Sequence, residues 1–215
     1  MRRTSLVLGA LLATTVMSQA FGAKPPGAGE KFKTWCYEAT VTSPGPGMNS
    51  GDLIYGGFRF STSAVDVYGE PTNESIGAYT LDRTYIWVPV IDTLWIFEGS
   101  AVGKQMTVIS AVGTPTPYDF FEIYQRDTPL DSPVDPTKLS FFNGRATALS
   151  LFTSDDLPLV PPPVSSFEFL NLQYTDFAGG GYSTTAAVTK LYAARRSTTS
   201  VRSDCAASKK QPRRN

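Results

Sequence analysis

Between positions 33 and 193 no stretch long enough for a helix repeats its apolar residues at helical spacing. Short apolar and aromatic runs alternate instead with clusters of Gly, Pro, Asp and Asn. A strand turns successive side chains to opposite faces, and those cluster residues suit turns, so the pattern predicts an all-β chain. Strands are expected at 33–42, 52–61, 76–81, 84–91, 93–99, 104–112, 118–126, 137–142, 145–152, 166–176 and 182–193. The expected fold is a single antiparallel β-sandwich of about ten strands, with a closed or partly open β-barrel as the alternative.

Individual stretches sharpen this. In GGFRFS, Phe58 and Phe60 face one way and Arg59 the other, as in a half-buried strand. TYIWVPVIDTLWIFE is apolar on both faces and predicts strands covered on both sides, with Pro89 at a bulge or break because it has no ladder donor. Asn143-Gly144 between two apolar runs predicts a tight hairpin turn, and Gly179-Gly180-Gly181 predicts a turn rather than a phosphate loop. Pro158 and Pro161 to Pro163 hold 154–169 extended. That segment reads as a rigid bridge to a strand of a different sheet, with Leu157, Leu159 and Val164 at the core's rim. Phe167 and Phe169 share one face, and the apolar phase flips from Leu170, which calls for a bulge near 169–171 or a strand buried on both sides.

The ends bear on location. Arg2 and Arg3 precede an apolar run from Leu6 to Met17, and small residues stand at Ser18, Ala20 and Gly22. Residues 1–22 therefore read as a signal peptide for the general secretory route, too short to span a bilayer, which leaves the mature chain without a transmembrane anchor in a periplasmic or extracellular setting. Residues 23–32 form a flexible lead-in, 33–194 the β-domain and 195–215 a basic tail expected to be disordered. Residues 23–194 hold ten basic against eighteen acidic side chains, a formal balance of −8, which argues against a nucleic-acid partner.

Chemistry is limited by what is missing. The chain has no histidine, which removes His-dependent nucleophilic sites and His-based zinc, and its two cysteines cannot form a thiolate metal cage. No cofactor is implied. Asp119 with Glu122, or Asp155 with Asp156, are the carboxylate pairs available for hydrolysis or calcium, but residues three apart on a strand face opposite sides and Asp is a common turn former. Of the large aromatics, Tyr85, Trp87, Trp95, Tyr118 and Tyr124 are the candidate ligand-binding residues, set against ordinary core packing. Cys36 and Cys205 form an intramolecular disulfide if the tail folds back to the first strand; if the tail is disordered, Cys205 stays free or pairs between molecules.

The ordered set Ala148-Leu149-Ser150, Leu157-Pro158, Pro161-Pro162, Ser166-Phe167 and Leu170/Leu172, with the earlier GDLIYGGFRFSTSAVDVYGE, resembles uncharacterised exported bacterial β-rich proteins that often carry a C-terminal Pro-Glu-Pro sorting signal. This chain lacks that tag and its following anchor. The resemblance implies export and a β-fold and brings no activity with it. The expected function is a non-enzymatic exported domain with an envelope, matrix or surface-interaction role and an envelope or extracellular partner, glycan included. A carbohydrate-binding module is the second reading and a carboxylate-dependent glycoside hydrolase the third.

The small residues at 18, 20 and 22 place the mature N-terminus between residues 21 and 24. Intact mass of exported protein checks this, and retention of residues 1–20 would overturn the export expectation.

Overall fold

A computed structural model describes residues 31–66, 76–98, 103–110, 119–128, 135–146, 151, 158–178, 180–196 and 200–209. Ten strands occur among them: β1 (Phe32–Ser43), β2 (Leu53–Ser61), β3 (Ile76–Thr80), β4 (Arg83–Val88), β5 (Thr93–Glu98), β6 (Gly103–Ser110), β7 (Asp119–Arg126), β8 (Lys138–Ala146), β9 (Phe167–Asp176) and β10 (Tyr182–Ala193). One helix, α1 (Val201–Lys209), follows. All neighbours are antiparallel in a single curled sheet of order β3-β6-β7-β8-β9-β10-β1-β2-β4-β5. The fold is thus all-β and antiparallel, a half-barrel between the two expected architectures.

The ends of the sheet are held near each other by chain connectivity. β3 ends the strand order on one side and β4 is next to last on the other, yet only Leu81 and Asp82 separate them. Asp82 fixes this corner: its N–H donates to the Arg59 carbonyl at 2.9 Å, and its carboxylate accepts from Arg59 Nε at 2.6 Å. Asp66, past the end of β2, bridges to Tyr79 and accepts from the Ala78 N–H at 2.8 Å.

Alternation sends one face of every strand inward. Trp35 and Tyr37 of β1 and Phe58 and Phe60 of β2 meet Phe121 of β7 and Phe142 of β8 across the interior. Trp35 stacks on Phe121 at 5.8 Å and Tyr37 tilts against Phe142 at 5.0 Å. Burial of such rings is the largest apolar contribution available to a sheet protein. One interior row is polar instead: Gln125, Ser140, Tyr174 and Thr184 are register neighbours across β7 to β10. Thr84 of β4 donates to Gln125 Oε1 at 3.0 Å, and the Tyr174 hydroxyl donates to Met48 Sδ at 3.2 Å.

Most strand expectations agree with this sheet. Pro89 ends β4 and opens a single 3-10 turn to β5. Gly180 and Gly181 make the turn between β9 and β10, both with positive φ. The phase flip in β9 is a register shift, in which Ala146 pairs with Phe167 but Arg145 with Phe169, leaving Glu168 as the extra residue. Phe169 consequently lies on the outer face, 38% exposed, rather than beside Phe167.

Several expectations need correction. Asn143-Gly144 is not a hairpin tip; both residues lie inside β8, paired with β7 and β9, so the runs expected at 137–142 and 145–152 join in one strand ending at Ala146. The period-two alternation continues through the pair and outweighs its turn propensity. Residues 147–150 and 152 lie outside the described residues. The proline segment does not lead to a different sheet, because β8 and β9 are hydrogen-bonded neighbours and the connection returns to the edge it left. Val164 packs on the core, Leu159 is exposed and Leu157 lies outside the described residues. The outer face of β5 is covered only in part: the strand ends the sheet, and while Leu94 packs beside the disulfide, Ile96 is 57% exposed. The tail is not wholly disordered, since Val201–Lys209 is helical.

Gly144 faces inward, and a β-carbon there would stand 2.5 Å from Leu170 Cδ1 and 2.8 Å from Phe167 Cδ1. Gly144→Val is therefore expected to lower stability by about 1–3 kcal/mol through overpacking. A thermal melt matching the wild type would contradict this packing.

Candidate functional site

The five aromatics singled out in the sequence do not form one site. Trp95 is interior and meets Tyr174 edge-on at 5.0 Å. Tyr118 lies outside the described residues. Tyr85 and Trp87 stand on the outer face of β4, and Tyr124 on the outer face of β7, on separate parts of the sheet. Among the described residues these aromatics therefore mark two separate regions of the outer surface.

The first is covered by α1. Cys36 and Cys205 are disulfide-bonded, with Cα atoms 5.5 Å apart and 169 positions apart in sequence. The bridge lies over Gly57, where a β-carbon would come within 2.8 Å of Cys205 Sγ; the missing side chain makes room for the sulfur. Tyr85 and Val201 are buried beside it, with Trp87, Leu94 and Tyr192 packed around. Ser200 caps the helix: its hydroxyl accepts from the Ser203 N–H at 3.3 Å. Val201 and Cys205, four apart, turn one helical face to the sheet. Tyr55 and Trp87 pair across β2 and β4 at 5.7 Å, and the Arg202 guanidinium lies 4.8 Å above the Trp87 ring. On β1 and β10, Lys190 Nζ meets Glu38 Oε2 at 2.9 Å.

No described element covers the second region. On the outer face of β7, β8 and β9, three register rows lie side by side. Phe120, Arg145 and Phe169 form the first, Glu122, Asn143 and Asn171 the second, and Tyr124, Phe141 and Gln173 the third. Phe120, Tyr124, Phe141, Glu122, Asn143 and Asn171 are half-buried, and Phe169, Arg145 and Gln173 are exposed. The Tyr124 and Phe141 rings are 4.9 Å apart. Arg145 Nε faces Glu168 Oε2 at 3.5 Å. Partial burial raises the Glu122 carboxyl above the usual carboxylate range. Phe141, Phe169, Asn143 and Asn171 were not singled out as ligand residues. Their signal is the outward phase of β7 to β9, which becomes a site only once the register is known.

The carboxylate pairs do not converge. Asp119 is buried on the inner face while Glu122 looks outward, and Asp155 and Asp156 lie outside the described residues. Among the described residues no three His, Cys, Asp or Glu side chains are grouped to hold a metal, and no helix is long and apolar enough to cross a membrane. The chain matches no protein-family model, no curated protein and no solved structure.

Loss of the bridge, as in Cys205→Ser, is expected to cost about 2–4 kcal/mol because it frees a long loop in the unfolded chain. A denaturant midpoint unchanged in oxidised protein would show that the bridge does not constrain it.

Alkali offers a separate check. Burial raises the hydroxyls of Tyr37 and Tyr85, and pushes those of Tyr174 and Tyr192 up to about 12. The unfolded chain loses these protons near the ordinary tyrosine value of about 10. Above that pH the folded state binds more protons, so stability present below it declines as pH rises toward the folded values. Absorbance at 295 nm is expected to show some tyrosines ionising near pH 10 and the buried group only with cooperative unfolding; a single wave for all ten tyrosines near pH 10 would contradict this burial.

Proposed function

We propose that this chain is an exported, non-enzymatic β-domain that acts by contact at an envelope, matrix or cell surface, through the outer face of β7, β8 and β9. The observation that carries the reading is the open face itself, where Phe120, Tyr124, Phe141 and Phe169 surround a polar row on three adjacent strands. Antiparallel strands hold side chains in fixed rows, so such a face is preorganised and loses little entropy on binding. Aromatic rings with polar neighbours are the side chains that dominate contact surfaces. The apolar leader sequence and the Cys36–Cys205 bridge both suit export to an oxidising compartment.

The test is co-sedimentation of the purified mature domain with insoluble envelope and matrix material from the producing cells. Wild type is expected in the pellet, and Tyr124→Ala/Phe141→Ala in the supernatant with its cooperative melt retained. Equal pelleting of folded wild type and variant would remove this face from the function.

A further inference from the structure

We propose that the open face of β7, β8 and β9 binds a neutral polysaccharide of hexopyranose units; this rests on the reading of that face as the contact surface. A pyranose ring has an apolar C–H face and a hydroxyl rim. The face presents both complements in a fixed order, with the row of Glu122, Asn143 and Asn171 between the row that holds Phe120 and Phe169 and the row that holds Tyr124 and Phe141. Ring faces offer flat, electron-rich surfaces to C–H groups. The two amides supply donors and acceptors and the carboxyl accepts, so all three can meet sugar hydroxyls. Phe120 and Tyr124 are four residues apart on β7, roughly 13 Å at the strand rise, and the three strands add about 10 Å across. That platform suits a short run of pyranose rings laid over it.

The polar row also speaks against the other occupants. A wholly apolar partner would strand Glu122, Asn143 and Asn171 without hydrogen bonds. An added β-strand pairs at a sheet edge, and β7, β8 and β9 are interior strands of the sheet. Charge argues for a neutral polymer: residues 23–194 carry a formal balance of −8, and the exposed Arg145 on this face already meets Glu168. An anionic glycan is disfavoured by both facts.

The experiment is native gel electrophoresis of the mature disulfide-bonded protein through separate gels of hydroxyethylcellulose, laminarin, galactomannan and, as an anionic comparator, alginate. Retardation is expected in at least one neutral gel and not in alginate. Tyr124→Ala/Phe141→Ala and Asn143→Ala/Asn171→Ala are each expected to weaken binding about tenfold or more, 1.4 kcal/mol per tenfold. Tyr124→Phe retains the ring and is expected to retain binding, which separates loss of the platform from loss of the fold. Trp87→Ala, on the other aromatic region, is expected to bind as wild type does. Retardation that survives in the folded Tyr124→Ala/Phe141→Ala variant would overturn the site. No retardation in any neutral gel, with co-sedimentation still dependent on Tyr124 and Phe141, would overturn the polysaccharide and leave the contact face standing. Co-sedimentation independent of both rings would overturn the contact face as well.

Discussion

The structure depends on aromatic packing between opposite walls of one curled sheet. A flat sheet cannot bury its own inner face; it must curl or meet a second layer. Here Trp35 and Tyr37 of β1 reach Phe121 and Phe142 on the far wall, and Phe58 touches both of those rings at about 6 Å. The corner of Leu81 and Asp82 makes that approach possible, because it carries the chain from the β3 end of the strand order to β4, next to last at the other end. The Arg59–Asp82 pair therefore matters through position: it ties the corner to β2 while the rings on β2 face the interior.

Once the rings are committed inward, the outer face is free to differ along the sheet. Over β1, β2 and β4 the disulfide and Val201 hold α1 against Tyr85, and the Arg202 guanidinium lies over Trp87. That region is sealed by the chain itself. Over β7, β8 and β9 none of the described elements plays that part, and the aromatic rows remain half-exposed. The contrast motivates the functional reading. Two aromatic surfaces of similar composition have different fates because one has Gly57 to admit a sulfur and a helix to cover it.

Strand positions were legible because alternation and turn residues are local signals. β1, β2, β7, β9 and β10 lie within two residues of expectation. The failures share a physical cause, which is long-range pairing. Asn143-Gly144 carries a local turn preference, but ladders to β7 and β9 on both sides hold it extended. The 195–215 segment has the composition of a solvated tail, and its helix stays in place through a bond to a residue 169 positions away. Both cysteines were visible, and their pairing was one of two readings, because count and compartment do not reveal distance. The candidate site was less legible. Tyr124 was flagged, but Phe141 stands beside it only through the β7–β8 register, and Asn171 joins only through β9. Composition gave equal standing to Trp95, which the curl of the sheet turns inward against Tyr174.

The central claim is that the outer face of β7, β8 and β9 is where this domain meets its partner. Hydroxyl-radical footprinting of side chains, with and without the insoluble matrix material, tests it most directly. The account predicts protection of Tyr124, Phe141 and Phe169 on binding, with Trp87 and Ile96 labelled as in the free protein. Protection centred on Trp87 and Ile96, with Tyr124 and Phe141 unchanged, would contradict it.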